Sequence, residues 1–163
     1  MKTLLLLRHA KSSWKDAALA DHDRPLNKRG KAEAPRVGEW LRKNDLVPDL
    51  ILASTARRAH KTAERVAEAS GYAGEVQLEA DLYLGDPEDY LDALQGVSDK
   101  YECVLVVGHN PGIEEFLELL TRSDELLPTA ALAQISLPIE HWRQLTATTK
   151  GLLVNLWRPR DEA

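Results

Sequence analysis

Thr3-Leu4-Leu5-Leu6-Leu7-Arg8-His9 sets an unbroken apolar run directly against an arginine and a histidine. A strand with one wet face alternates apolar and polar residues. A run without alternation reads instead as a strand buried on both faces, the pattern of a parallel sheet covered by helices. Two later stretches repeat the arrangement. Leu50-Ile51-Leu52-Ala53 runs into Ser54-Thr55 and then Arg57-Arg58, and Cys103-Val104-Leu105-Val106-Val107 runs into Gly108-His109-Asn110.

Helical periodicity fills the intervals. A polar loop spans Ala10 to Pro25. A helix is expected from about Asn27, a good N-cap, to Lys43; Pro35 within it implies either a kink or a later start. Arg57 to Ser70 places Ala59, Thr62, Ala63, Val66 and Ala67 on one face, with Gly71 as a C-cap. Pro87 to Gln95 reads as a helix with proline in its first turn, and another follows from about Pro111 to Leu120. Val76 to Leu78, Leu132 to Leu137 and Leu152 to Trp157 are weaker strand candidates. Strands alternating with helices give an α/β fold: a three-layer α/β/α sandwich around a mostly parallel central sheet.

The 163 residues fit one domain, expected to span 1–163. No apolar run approaches the roughly 20 residues of a membrane span, and no signal-peptide pattern opens the chain. Cys103 is the only cysteine, so an internal disulfide is ruled out, and its apolar neighbours make it a buried small hydrophobe. These features point to the cytoplasm. With net charge −5 and no basic run, neither nucleic acid nor membrane is an expected partner. An acidic chain that binds phosphate must gather its positive charge locally.

The three polar clusters all follow the carboxyl ends of buried strands, where open α/β sheets bind ligands. If those strands are neighbours, two histidines and up to three arginines converge on one pocket. Arginine offers a planar fork of donors matched to phosphate oxygens and stays charged. Histidine can act as nucleophile, acid or base near neutrality. Phosphoryl transfer needs little more than an in-line nucleophile and positive charge around the equatorial oxygens. The Gly108–Gly112 stretch also leads into a helix N-terminus, which favours anions. His22, His60 and His141 stand outside this pattern and are expected in solvent or at the site rim. No His-x-His or His-Glu-x-x-His spacing marks a metal site, and no nucleophile elbow or Gly-Lys-Ser/Thr phosphate loop occurs, so neither a metal nor another cofactor is expected.

These residues resemble the motifs of a known family. Leu6-Leu7-Arg8-His9-Ala10-Lys11-Ser12 is similar to the Arg-His-Gly/Ala signature of the histidine phosphatase superfamily, branch 1, the group of the phosphoglycerate mutases. Asp23-Arg24-Pro25-Leu26-Asn27-x-x-Gly30 resembles its entry into the first helix, Ser54-Thr55-Ala56-Arg57-Arg58-Ala59-x-x-Thr62-Ala63 its Ser-Pro-x-x-Arg-Ala-x-x-Thr-Ala motif, and Gly108-His109-Asn110 its Gly-His-Gly/Asn element. The short chain and the Arg-His-Ala-Lys-Ser start are most similar to the SixA-type phosphohistidine phosphatases. The resemblance implies a phosphoglycerate mutase-like fold. It also implies that His9 takes the phosphoryl group and that Arg8 and Arg58, rather than Arg57, bind its oxygens. His109 would be a further donor, and Asn110 would border the pocket.

The general acid usual in this family has no clear motif match. Glu79, Asp81, Asp86, Glu114 and Glu115 are the carboxylates in the right regions; Asp81 is the best candidate among them, and the alternative for it is an ordinary solvated loop carboxylate. Without an acid, a phosphate ester is a poor substrate, because its leaving oxygen is very basic, whereas an imidazole can leave as a neutral ring. The expected activity is therefore a metal-independent phosphatase acting on phosphohistidine in a partner protein. The alternatives are a small-molecule phosphomonoesterase of the same superfamily and a phospho-binding module without turnover. A mutase would need a lid, and no insertion of that size is present.

Overall fold

The computed structural model describes residues 1–161. Its strands are β1 (Lys2–Arg8), β2 (Leu50–Ser54), β3 (Val76–Glu79), β4 (Cys103–Gly108), β5 (Leu132–Leu137) and β6 (Leu152–Trp157). The helices are α1 (Lys28–Lys43), α2 (Arg57–Ser70), α3 (Pro87–Gln95) and α4 (Gly112–Thr121). All six strands join one sheet in the order β3-β2-β4-β1-β5-β6. The β2–β3, β2–β4 and β1–β4 pairs are parallel, whereas β5 is antiparallel to both β1 and β6. β5 alone therefore runs against the rest, and the sheet is mixed but mostly parallel. Among the described residues, no helix is long and apolar enough to cross a membrane.

The four leucines of β1 show why the sheet is covered twice. Leu5 and Leu7 pack with Ile51, Leu105 and Val107 against Val37 and Leu41 of α1 and Ala59, Ala63 and Val66 of α2. Leu4 and Leu6 point the other way, joining Leu52, Val104 and Val106 against α3 and α4. Strand side chains alternate between faces, so a run with no polar position has a core on each side. Cys103 is half-buried beside the α1/α2 core rather than enclosed by it, and burial pushes its thiol up to about 12.

Local signals set the helix ends. The Asn27 side chain accepts the Gly30 amide at 2.8 Å, starting α1 at Lys28, and the helix runs on through Pro35. Proline removes one backbone bond there, but Ala34, Val37 and Leu41 are buried against α2 and the sheet, so packing carries the helix past it. Gly30 lies against the loop after β1: a Cβ at that position would sit 2.1 Å from the Lys11 carbonyl oxygen. Gly71 ends α2 in the left-handed region, and Asp86 caps α3 through the amides of Glu88 and Asp89.

Candidate active site

In the sheet order, β4 lies between β2 and β1, so the three polar clusters meet at one strand-end crevice. His9 continues β1, its amide donating to the Gly108 carbonyl at 3.1 Å. His109 continues β4, its amide donating to the Tyr90 hydroxyl at 3.2 Å. The two imidazole rings lie 5.1 Å apart. They share a small cavity of about 190 Å³ with Arg8, Arg58, Arg24 and Asn110. Gly108 has no room for a side chain, because a Cβ would sit 2.1 Å from the Tyr90 hydroxyl, and fully buried Tyr90 is stacked on Phe116.

His9 is only 6% exposed. Its Nδ1 lies 2.8 Å from the Ala10 carbonyl oxygen. A carbonyl only accepts, so Nδ1 carries the proton and Nε2 keeps its lone pair. Burial holds the ring down at about 3, and His109, Arg58 and Arg8 add to that lowering against the Ala10 contact. His109, 3% exposed, is lowered to about 4, again by burial first and then by Arg58. Its Nε2 meets Ser54 Oγ at 2.7 Å. Ser54 Oγ also accepts the Ala56 amide and still has a hydrogen that it can donate to His109 Nε2, an arrangement in which the ring proton sits on Nδ1. That Nδ1 is buried with no hydrogen-bond partner among the described residues, as are Arg8 Nε, Arg58 Nε and Asn110 Oδ1.

The arginines are held from behind. Arg8 is half-buried, its pKa lowered by desolvation, and its Nη1 donates to the Leu127 carbonyl at 3.3 Å. Arg58, 4% exposed, donates through Nη1 to the Asp21 carbonyl at 2.7 Å and through Nη2 to Asp21 Oδ2 at 3.0 Å. Arg57 beside it is exposed, because successive helical residues turn by about 100° and only one of the pair can face inward. Thr62, one helical turn on, donates to the Arg58 carbonyl and accepts the Ala10 amide, tying α2 to the loop behind His9. Asn110 donates through Nδ2 to Glu114 Oε2 at 2.8 Å and to the Leu127 carbonyl at 2.9 Å.

Asp81 is not brought to this pocket. It is exposed on the short 3-10 turn Ala80–Leu82, where Leu82 is the buried member and turns Asp81 outward. The turn delivers Tyr83 instead, whose ring lies 5.6 Å from that of His109. Of the other candidate carboxylates, Glu79 pairs with Gln77, Asp86 caps α3, Glu114 is tied to Asn110 and the Leu127 amide, and Glu115 is exposed.

A carboxylate that sequence reasoning passed over, Asp21, bonds Arg58 and Arg24 of the site. It accepts from Arg58, from Arg24 Nε at 3.1 Å and from the Tyr83 hydroxyl at 2.5 Å. The Tyr83 hydroxyl first, and then Arg58, hold it well below the usual carboxylate range, so it is ionised at working pH. Arg24, also passed over as a site residue, is buried, donates to Ser12 Oγ at 2.7 Å and stacks on Trp14. The available signal was Asp21-x-x-Arg24, an acid and a base three residues apart. His22 sits at the rim, 2.9 Å from Thr55 Oγ1, while His60 pairs with Glu64 and His141 with Asp99. Among the described residues, no group of three or more His, Cys, Asp or Glu is placed to hold a metal ion.

The low histidine pKa values predict how stability depends on pH. A base whose folded pKa lies below its unfolded value of about 6.5 binds fewer protons when folded. Its stabilisation is complete above pH 6.5 and declines as pH falls toward the folded values of about 3 for His9 and about 4 for His109. Between pH 6.5 and 5 each ring should cost up to about 2 kcal/mol. Denaturant midpoints at pH 7 and pH 5 should therefore differ markedly, and His9→Asn should flatten the dependence. An identical slope in that variant would refute the buried neutral His9.

Comparison with known proteins places these features in context. A family model described as "Histidine phosphatase superfamily (branch 1)" matches residues 4–85. An uncharacterized chloroplastic protein of Arabidopsis thaliana is 34% identical over 161 residues, covering 90% of this chain and 71% of that protein. A SixA structure from Nakamurella multipartitia, designated a candidate phosphohistidine phosphatase, superposes with a TM-score of 0.82 at 29% identity, covering 97% of this chain and 96% of that one. The tungstate complex of the protein histidine phosphatase SixA also gives 0.82, at 21% identity and with 98% of each chain covered.

Proposed function

The chain belongs to the histidine phosphatase superfamily (branch 1) and is SixA-like, and from that premise we propose that it hydrolyses phosphohistidine on a partner protein through a phosphoryl intermediate on His9. The observation that carries the reading is the state of the site's acid–base groups. His9 and His109 are buried and neutral; Asp21, which bonds Arg58 and Arg24, is held ionised by Tyr83 and Arg58, and Glu114, on the Arg8 side, accepts from Asn110 and the Leu127 amide. Such a site offers a nucleophile and positive charge, and among the described residues no carboxylate lines the cavity that holds His9.

The His9 Nε2 lone pair attacks phosphorus in line. Arg8 and Arg58 hold the equatorial oxygens, and His109 Nδ1–H is a further donor to them. As the new N–P bond forms, the bond to the substrate histidine breaks and its electron pair returns to that ring. A substrate ring already protonated on its other nitrogen leaves as neutral imidazole, so no enzyme acid is consumed. Water then attacks the phosphorylated His9, the P–Nε2 pair returns to the ring, and inorganic phosphate departs with both water protons. An ester would instead release an oxygen whose parent, water, has a pKa of about 15.7. Arginine supplies the charge that a metal provides elsewhere, so the reaction is expected to be metal-independent.

Initial rates on a phosphohistidine protein, a phosphohistidine peptide and a panel of sugar phosphates, with and without exhaustive chelation, test this. The phosphohistidine substrates should lead in kcat/KM by about 10² or more, the scale of a missing general acid, and chelation should change nothing. Faster turnover of a sugar phosphate, or activity lost on chelation and restored by one divalent ion, would overturn the proposal.

A further inference from the structure

The phosphate cavity, at about 190 Å³, has room for a phosphoryl group and little else. Beside it lies a larger groove of about 760 Å³, and Arg8 lines both. One wall is the irregular segment between α4 and β5, and the other is the carboxyl end of β6. The first wall is pinned at Leu127, whose carbonyl accepts from Arg8 and Asn110 and whose amide donates to Glu114. The preceding residue, Leu126, projects outward and is 75% exposed, and Leu156 across the groove is 41% exposed. Asp124 and Glu125 line the same wall as Leu126, and Arg158 lies on the β6 side.

Resting on the phosphohistidine reading above, we propose that this groove takes the polypeptide segment flanking the phosphorylated histidine. The segment it fits carries an apolar side chain next to a lysine or arginine. Three features converge on that occupant. The groove opens from Arg8, so chain attached to a phosphohistidine in the small cavity must enter it or point to solvent. Leu126 and Leu156 offer apolar surface that is otherwise wet. Asp124 and Glu125 complement a cation on the Leu126 wall, away from Arg8 at the cavity end and Arg158 on the β6 side.

The test uses N-phosphoimidazole, which has no flanking chain, and two phosphohistidine peptides that differ only in carrying Leu-Lys or Leu-Glu beside the phosphorylated residue. The native protein should prefer the lysine peptide in kcat/KM by about threefold to tenfold at low salt, with the preference shrinking as ionic strength rises. The double variant Asp124→Lys/Glu125→Lys should lose or invert the preference, and Leu126→Ala should slow both peptides. Phosphoimidazole turnover should be unchanged in all of these variants. Equal rates on the two peptides, or variants that slow phosphoimidazole as much as the peptides, would overturn the groove assignment while leaving the phosphatase intact. Failure of the native protein on all three probes would overturn the activity and this inference with it.

Discussion

Replacing His9 with alanine is expected to abolish phosphoryl labelling and to lower turnover by about 10⁴ or more, the scale seen when an enzyme loses its nucleophile. The native protein, quenched during turnover, should carry phosphate that is released by acid and stable in alkali, as an N-phosphoryl bond is. The label should map to His9 alone. The variant should keep its fold, because among the described residues the ring's polar contact is with the neighbouring Ala10 carbonyl, and its loss leaves no charge unpaired. Its midpoint of unfolding at neutral pH reports this independently. A variant that still turns over at the native rate would show that phosphorus is attacked by another group. Label found on His109 would reassign the nucleophile within the same pocket.

Arg58→Ala should be the next most damaging change, lowering kcat by about 10³ or more, in the range reported for arginines that stabilise a phosphoryl-transfer transition state. Arg58 is nearly buried, and both of its terminal nitrogens are fixed by Asp21, leaving little freedom for the fork to move. Lysine cannot reproduce that double contact, so Arg58→Lys should recover only a small part of the loss. Single-turnover rates separate this effect from product release. A loss of less than tenfold in Arg58→Ala would mean that Arg8 and His109 suffice for the transferring group. Asp21→Asn offers a graded comparison: the guanidinium stays, its orientation loosens, and the loss should fall between the native protein and Arg58→Ala.

The elements were legible where a local signal and the core agreed. Leu4 to Leu7 pointed to a strand covered on both faces, Asn27 to the start of α1, Gly71 to the end of α2, and Pro87 to the start of α3, because each acts through a few neighbouring residues. His9, Arg8, Arg58 and His109 were legible as a convergent set because they are bound to strand ends or to the first turn of a helix. Their neighbours were not. Asp21, Arg24 and Tyr83 come from loops whose paths are set by contacts across the fold, and Asp21 reaches Arg58 from 37 positions away. Asp81 takes the alternative place open to it, that of a solvated loop carboxylate, for a related reason. In a single 3-10 turn a shift of two residues decides which side chain faces the site, and here the burial of Leu82 decides it in favour of Tyr83.

β1 and β4, which carry His9 and His109, lie at the centre of the sheet, and β6 forms one of its edges. A substitution in a central strand disturbs two neighbouring strands and both helical layers. A substitution at an edge meets one neighbour and solvent. Selection can therefore rework the groove wall beside β6 while the histidine pair stays where it is. On the proposed reading, changes at the margin of the sheet alter which partner segment fits without rebuilding the pocket that holds His9 and His109.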